Sequence, residues 1–357
     1  MSNNNNNLDS DRINNFVLTY DNESLIVDGA GSQLHRIYCI YALSRFLGVS
    51  YIHSPLKKLP YQGLLNLEKN ELDPKLTERY NQLFTIPSDS EILEHTKVHH
   101  LFCLKADLSL LCSLREQLKK SKEAHLFKIG WPLYLVNQKP GMLDCIKDIS
   151  PFESSPSSLF RITIHVRRGE LFAVDSYRML PNSYYINMVH KIIEVLNKLG
   201  IPFVCELHTE MPSKTFAVTP SHDGIDHRIQ QPVIITKEMS EITDFDIIPN
   251  LQKWINHDPI ETLRSFATAD LLIISRSSFS YLGAILNKRG IIVYHPFWCA
   301  APLEWLDATH EPSFQERLLE ACKKWKNFNL STQEHLALKI APKIPYDNDL
   351  DRNQHHA

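Results

Sequence analysis

The stretch that decides the fold is Phe160-Arg161-Ile162-Thr163-Ile164-His165-Val166-Arg167-Arg168-Gly169-Glu170. Its first half is apolar with β-branched residues in the middle, a pattern typical of a buried strand in a parallel sheet. The strand then runs directly into two arginines, a glycine and a carboxylate. Because ligands of open α/β sheets lie at the carboxyl ends of strands, Arg167 and Arg168 could clamp a diphosphate, and Gly169 would let the backbone approach it. The alternative is a structural salt bridge to acidic residues elsewhere in the fold.

The chain beyond this stretch alternates apolar strands with helical patterns, which predicts a parallel sheet covered on both faces. A long polar loop is expected at 211–230, and a polar tail follows the last helix. The predicted strands are 203–208, 233–235, 271–274 and 291–294, and the predicted helices are 184–199, 259–269, 281–286 and 314–326.

The chain before this stretch contains a second βα pattern. A strand is predicted at 24–27, followed by the turn Gly29-Ala30-Gly31-Ser32-Gln33-Leu34 and a helix to about Leu47. A helix entered through glycines can hold an anion at its N-terminus. A nicotinamide-dependent oxidoreductase is one alternative, but the third glycine of a dinucleotide fingerprint is replaced by Leu34. A further short strand is expected within 127–136.

The segment 140–158 is rich in Pro and Ser and is interpreted as a linker between two domains. The sequence therefore predicts a disordered Asn-rich tail at 1–12 and an N-terminal domain at 13–150. A C-terminal domain is predicted at 158–330 and a C-terminal tail at 331–357.

Composition narrows the class of protein. A length of 357 residues, a hydrophobic content of 43% and a charged content of 22% are those of a folded protein with room for two domains. A net charge of -3 favours neither nucleic acid nor a membrane surface as a partner. No apolar run approaches a membrane span and no basic-then-apolar leader opens the chain, so we expect a cytoplasmic protein. The seven cysteines are scattered, never in CxxC spacing, and are expected to be reduced thiols rather than zinc ligands.

A second candidate phosphate site lies at Ser275-Arg276-Ser277-Ser278-Phe279-Ser280, where a predicted strand turns into a helix. Plain N-capping by Ser277 or Ser278 is the alternative and requires no ligand. Two possible metal motifs are weak: the Asp244-Phe245-Asp246 pattern arises often by chance, and the His95/His99 pair lies in a short polar segment. We expect no metal site.

Three motifs together resemble a known family. His165-Val166-Arg167-Arg168-Gly169-Glu170 resembles the HxRRGD-type motif of the fucosyltransferases that use GDP-fucose, with Glu in place of Asp. The segment 269–280 is similar to their later motif, an apolar strand followed by NSSFS or NSTFS. The segment 29–34 is similar to their GxGNQL turn. The departures are Glu170, Ser32, Arg276 and the Tyr281-Leu282 pair that stands where the family has paired tryptophans.

The resemblance implies a GT-B architecture, in which two Rossmann-like domains face each other across a cleft and the C-terminal one holds most of the nucleotide. It implies transfer of fucose from GDP-fucose to a glycan or protein hydroxyl, with inversion and without a metal or other cofactor. Arg167 and Arg168 would stabilise the departing GDP. By the same resemblance His165 would touch the guanine or ribose side, and the other donor-binding residues would be Ser277, Ser278, Phe279, Glu261, Thr262, Gly31 and Gln33.

An inverting transfer needs a base near the acceptor hydroxyl, and Glu170 or Asp175 is close enough in sequence to the arginines to serve. Two further alternatives stay open besides the oxidoreductase. One is the same fold with another nucleotide sugar, such as a xylose donor. The other is a protein that binds nucleotide sugars or glycans without turnover.

Overall fold

The computed structural model of the chain describes residues 13–23, 28–89, 96–104, 108–132, 141–154, 157–174, 176–218, 232–309 and 311–340. The N-terminal unit contains one parallel sheet in the strand order β2-β1-β4-β3, accompanied by helices. Its strands are β1 (Ile13–Tyr20), β2 (Val49–Tyr51), β3 (Lys97–Leu104) and β4 (His125–Pro132). Its helices are α1 (Ala30–Leu47), α2 (Leu64–Lys69), α3 (Pro74–Leu83), α4 (Leu108–Leu118) and α5 (Met142–Asp148).

The C-terminal unit contains a larger parallel sheet and a small antiparallel pair. Its strands are β5 (Phe160–Val166), β6 (Phe203–Thr209), β7 (Phe216–Val218), β8 (Val233–Ile235), β9 (Leu251–Ile255), β10 (Leu271–Ile273), β11 (Ile291–Tyr294) and β12 (Leu306–Asp307). Its helices are α6 (Leu171–Val174), α7 (Asn182–Leu199), α8 (Pro259–Ala267), α9 (Ser278–Leu286) and α10 (Glu311–Ile340). The parallel sheet has the order β12-β11-β10-β5-β6-β9, and β7 pairs with β8 apart from it.

Strand β5 lies in the interior of the large sheet, between β10 and β6, and it is buried on both faces. Ile162, Ile164 and Val166 pack into the cluster that includes the apolar stripe of α7, and His165 faces the side on which Phe266 of α8 lies. Side chains on alternate positions of a strand point to opposite faces, so an almost continuous apolar run is what a strand covered on both sides requires.

The strand order places a topological switch point beside β5. From β5 the chain moves through β6 to β9 on one side, then crosses back to β10 on the other side and continues outward. In sheets of this kind, ligands bind in the crevice outside the carboxyl ends of the two strands at which the order reverses. That crevice lies between the end of β5 and the end of β10.

The two units meet through α1 and α9, whose buried residues belong to one continuous hydrophobic cluster. A Cβ built on Gly31 at the start of α1 would lie 2.5 Å from the Cα of Phe279 in α9, so only glycine permits this approach. Two Rossmann-like units with parallel sheets are therefore present, as the GT-B prediction requires. No helix in the described ranges combines the length and the apolar character needed to cross a membrane.

Several predicted elements are wrong in place or in partner. The strand predicted at 233–235 exists as β8, but it pairs with β7 inside the predicted 211–230 loop rather than joining the large sheet. The position in that sheet belongs to β9, which the sequence did not predict. The strands β1 and β3 were not predicted either, and the strand expected at 24–27 lies outside the described residues.

The structure also differs from the sequence predictions in the presumed linker at 140–158 and in the predicted tail at 331–357. The presumed linker contains α5, whose Met142, Leu143 and Ile146 are buried against the N-terminal core. Helix α10 continues past Lys326 to Ile340, into the segment predicted as a tail. Residues 1–12 and 341–357 lie outside the described ranges.

Candidate functional site

Arg167 follows β5 directly and is held by residues from three segments. Its Nη1 donates to Glu210 Oε2 at 2.7 Å, and its Nη2 donates to the Tyr61 hydroxyl at 3.1 Å and to Glu170 Oε1. Burial alone would lower the pKa of Arg167, but Tyr61 and Glu210 outweigh it and raise that pKa above its usual value. The guanidinium therefore carries a permanent charge that two carboxylates already neutralise.

Arg168 lies beside it in a less acidic environment. Its Nη1 donates to the Arg167 carbonyl at 2.8 Å and its Nη2 donates to Asn182 Oδ1 at the start of α7. The guanidinium also lies 5.9 Å from the centre of the Tyr185 ring. Burial lowers the pKa of Arg168, and Tyr185 offsets part of that effect. Since its hydrogen-bond partners among the described residues are a carbonyl and a side-chain amide, Arg168 has charge to offer to an anion.

Glu170 and Glu210 frame Arg167 differently. Glu170 is buried, and its Oε2 has no hydrogen-bond partner among the described residues. Glu210 follows β6 and reaches the N-terminal unit, where its Oε1 accepts a hydrogen bond from the Leu64 backbone amide at 3.0 Å. The sequence did not single out Glu210 or Tyr61 as site residues. The available signal was the position of Glu210 just past β6, at the same edge of the sheet as Arg167.

Gly169 has a φ of +72°, in the left-handed region that favours glycine, and a Cβ there would lie 2.9 Å from the Leu64 side chain. The tight turn after β5 is thus needed for the contact between the two units, in which Leu64 packs over Gly169. We call this contact region the seam. The free approach of the backbone to a ligand, for which Gly169 was singled out, is not visible in this arrangement.

His165 connects the turn after β5 to the turn after β10. Its Nδ1 lies 2.7 Å from Ser275 Oγ, and its ring packs against Phe266. Burial and the charge of Arg167 lower the pKa of His165 well below its usual value, so the imidazole is neutral. The resemblance predicts contact with the nucleoside, and the ring lies at the switch point where such contact is possible.

The turn after β10 leads into the N-terminus of α9. Ser277 is the N-cap: its Oγ accepts from the Phe279 amide at 3.3 Å, as the capping alternative predicts. Ser278 is half-buried, and Phe279 packs beside Gly31 of the other unit. A capped helix N-terminus still favours negative charge through its dipole, so capping does not compete with anion binding at this end.

Gln33 serves its own unit in this structure. Its Nε2 donates to the carbonyls of Asp28 at 2.7 Å and Lys58 at 2.9 Å, which ties two loops to α1. Its Oε1 is buried without a hydrogen-bond partner among the described residues. Gly31, by contrast, contacts Phe279 of the other unit, so these two predicted donor-binding residues act on different neighbours.

The remaining predicted positions lie on or near α8. Glu261 is exposed and pairs with Arg264 at 3.1 Å, whereas Thr262 is buried. Asp258 caps α8 and accepts from Arg79 of the N-terminal unit at 2.8 Å. These contacts put the start of α8 at the seam between the units. Asp175 lies outside the described residues.

The possible metal motifs do not converge in the described part of the chain. Asp246 pairs with Lys253, and Asp244 accepts from Asn182 at 3.0 Å. His99 stacks on His125, and His95 lies outside the described residues. No group of metal-ligating side chains is found among the residues that are described.

Comparisons with known proteins give little beyond the fold. No protein-family model and no curated protein matches the chain. E. coli heptosyltransferase WaaC with ADP is similar over 85% of this chain and 99% of its own, with 11% identity and a TM-score of 0.35. The same enzyme with ADP-2-deoxy-2-fluoro heptose is similar over 88% of this chain and 99% of its own, with 12% identity and a TM-score of 0.34. At such low scores the likeness carries no conclusion about the activity of this chain.

Proposed function

We propose that the chain is an inverting, metal-independent glycosyltransferase that uses a nucleotide sugar, with GDP-fucose as the donor. One observation carries the proposal: Arg167 and Arg168 follow β5, the N-terminus of α9 follows β10, and the ends of these two neighbouring strands are in contact through His165 and Ser275 at the switch point. A diphosphate leaving group needs positive charge and oriented donors at this place. The choice of fucose and guanine rests on the three sequence motifs.

We infer different tasks for the two arginines from the charges around them. In the described part of the chain, the hydrogen-bond acceptors of Arg168 are neutral oxygens, and Arg168 is the first candidate to contact the diphosphate. Arg167 would join it after exchanging Glu210 or Glu170 for phosphate oxygen, a replacement of one charge-assisted hydrogen bond by another. If Glu170 is the partner exchanged, its free carboxylate would be placed to accept the proton of the acceptor hydroxyl.

Nucleotide binding tests the donor. Saturating GDP should raise the free energy of unfolding without added metal, by about 2.7 kcal/mol at 100 times the dissociation constant. The measurement is a thermal-shift series with GDP, UDP and dTDP and their common sugars, in EDTA and in Mn²⁺. A shift seen with UDP alone would overturn the guanine part, and a shift that needs Mn²⁺ would overturn the metal-free part.

Glu170→Gln tests the base. If Glu170 takes the proton, the amide should abolish transfer and leave GDP affinity nearly unchanged. Loss of both would show that Glu170 orients Arg167, its ion-pair partner. Asp175→Asn is the matched variant for the second candidate, and full transfer by both variants would overturn the base assignment.

A protein that binds nucleotide sugars without turnover is the second candidate, and the neutralisation of Arg167 by Glu170 and Glu210 favours it. Slow release of fucose from GDP-fucose in the absence of an acceptor separates the two. A chain that binds GDP-fucose but never hydrolyses or transfers it belongs to the second class.

A further inference from the structure

Two exposed aromatic rings lie at the same edge of the large sheet as the candidate site. Tyr177, in a short 3-10 helix after α6, is 80% exposed, and Trp298, shortly after β11, is 41% exposed. Large rings left in water on a folded protein often mark a binding surface. We call these two rings, with Arg178 and Arg276 behind them, the aromatic platform.

Each ring of the platform is fixed by an arginine. The Arg276 guanidinium lies 4.9 Å from the centre of the Tyr177 ring, and its Nη1 donates to the Tyr177 carbonyl at 2.7 Å. The Arg178 guanidinium lies 4.6 Å from the centre of the Trp298 ring. Arg178 is the neighbour of Tyr177 in the chain, so the two stacks share one backbone segment. Each ring is therefore stacked on a guanidinium while much of its surface stays in water.

The segment that carries Trp298 is anchored to the core. Phe297 packs edge-on against Trp298 with ring centres 4.9 Å apart, and its other contacts are Tyr281 at 5.9 Å and Tyr294 at 5.7 Å. Both of these tyrosines are buried. A ring held on such a base loses little freedom when a ligand stacks on it, which favours binding.

The platform borders the proposed donor site. Arg276 directly precedes Ser277, the cap of α9, and its Nη2 lies 3.4 Å from His295 Nδ1. His295 packs against Tyr184, and Tyr184 packs against Tyr185, the ring over which Arg168 lies. A continuous set of contacts thus joins the platform to Arg168.

We propose that the aromatic platform binds the acceptor, and that the acceptor is a saccharide whose pyranose ring stacks on Tyr177 or Trp298. This rests on the proposed glycosyltransferase function. The apolar face of a pyranose presents several C–H bonds with partial positive charge, which match the negative face of an aromatic ring. The guanidinium groups behind the rings can donate hydrogen bonds to the surrounding hydroxyls.

A peptide acceptor is the competing possibility, and the geometry favours the saccharide. The platform offers flat ring faces backed by arginines at the edge of the sheet. A peptide is held instead by an exposed strand edge or by an apolar groove with periodic anchors.

Saturation-transfer NMR on the full chain tests the proposal. The probe is a mixture of the methyl pyranosides of glucose, galactose, mannose, fucose and N-acetylglucosamine. The wild type should transfer saturation to the C–H protons of one ring face in at least one sugar. Tyr177→Ala and Trp298→Ala should each weaken binding of that sugar by about tenfold, because one stacked ring contributes up to about that factor. Tyr177→Phe should bind as the wild type does, because it keeps the ring.

Leu303→Ala is the matched control, because Leu303 is 93% exposed and lies near Trp298 in the chain without belonging to the platform. Equal saturation in the wild type and in the Tyr177→Ala/Trp298→Ala double variant overturns the proposal, as does the absence of saturation with every sugar. A shift of the platform resonances by an acceptor-type Ser/Thr peptide alone would assign the surface to protein acceptors. The chain could also fail to bind GDP and still show saturation transfer that depends on the two rings. That result would contradict the proposed donor and support the aromatic platform as a saccharide site.

Discussion

The turn after β5 and the turn after β10 lie side by side at one edge of the same sheet, but they differ in the functional groups that they contain. The first contains Arg167 and Arg168, and the charge of Arg167 is balanced by Glu170 and Glu210. The second contains mainly hydroxyls and backbone amides, with Ser277 as its cap, and its Arg276 donates to the Tyr177 carbonyl. Arg167 must exchange a carboxylate before it binds an anion, whereas Arg168 and the second turn need no such exchange. Occupancy of the crevice should therefore start at Arg168 and the second turn.

Arg167→Ala should have the largest effect on this contrast. It would leave the buried Glu170 and the half-buried Glu210 without their shared cation, and loss of one partner of a buried ion pair typically destabilises a protein by about 3–5 kcal/mol. Turnover should fall by roughly 10²- to 10³-fold if the guanidinium also stabilises departing GDP. Urea unfolding and steady-state kinetics measure the two effects separately.

Two other variants serve as comparisons for Arg167→Ala. Arg264→Ala removes a cation from an exposed pair with Glu261 and should change stability by less than about 1 kcal/mol. Arg168→Lys keeps the charge but loses the planar fork, so it should reduce turnover less than Arg167→Ala does. A stable and fully active Arg167→Ala protein would show that the ion pairs of the first turn matter for neither folding nor chemistry.

Acid should destabilise the joint between the two turns. His165 lies there with a pKa well below its usual value, and burial lowers the pKa of His35 on α1 to about 3. Above about pH 6.5 both are neutral in the folded and unfolded chain, and stability is complete. Below it only the unfolded chain takes up protons, so each histidine reduces the free energy of unfolding by about 1.4 kcal/mol per pH unit.

Urea midpoints between pH 7.5 and 5 measure this slope. The window lies above the pKa of ordinary carboxylates, so their titration contributes little. His165→Asn and His35→Gln should each remove part of the slope. A midpoint that does not change between pH 7 and 5 would contradict the expectation.

Ser277→Ala should have the smallest effect. Loss of the N-cap typically costs about 1 kcal/mol, and Ser278→Ala, which removes no cap, should cost less. If the second turn also binds phosphate, both variants should weaken GDP affinity. A change in stability without any change in GDP affinity would show that the serines of the second turn cap α9 and do not bind phosphate.

The sequence predicts the centre of the large sheet much better than its edges. Strands β10 and β11 are continuous apolar runs, β5 and β6 are mostly apolar, and the predicted strands match all four. Edge strands are less buried and carry polar residues. The run Leu251-Gln252-Lys253-Trp254-Ile255 of β9 therefore gives little strand signal.

The sequence could not predict the residues that contact Arg167 from distant parts of the chain. Arg167 and Arg168 were predicted at a strand end, and they lie there. Tyr61 and Glu210 come from a loop of the other unit and from the next strand, and no local pattern connects them to Arg167. The apolar run at 233–235 shows the same limit, because its hydrophobicity indicates a strand but not the sheet it joins.

Glu210 makes the seam between the units and the charge on Arg167 parts of one equilibrium. The same carboxylate accepts from Arg167 and from the Leu64 amide of the opposite unit. An anion that displaces Glu210 from Arg167 would disturb the seam contact as well. Thermodynamic linkage is reciprocal, so whatever loosens the seam must strengthen anion binding by the same factor by which the anion loosens the seam. Affinity for the donor and separation of the two units are then two measures of a single coupling free energy.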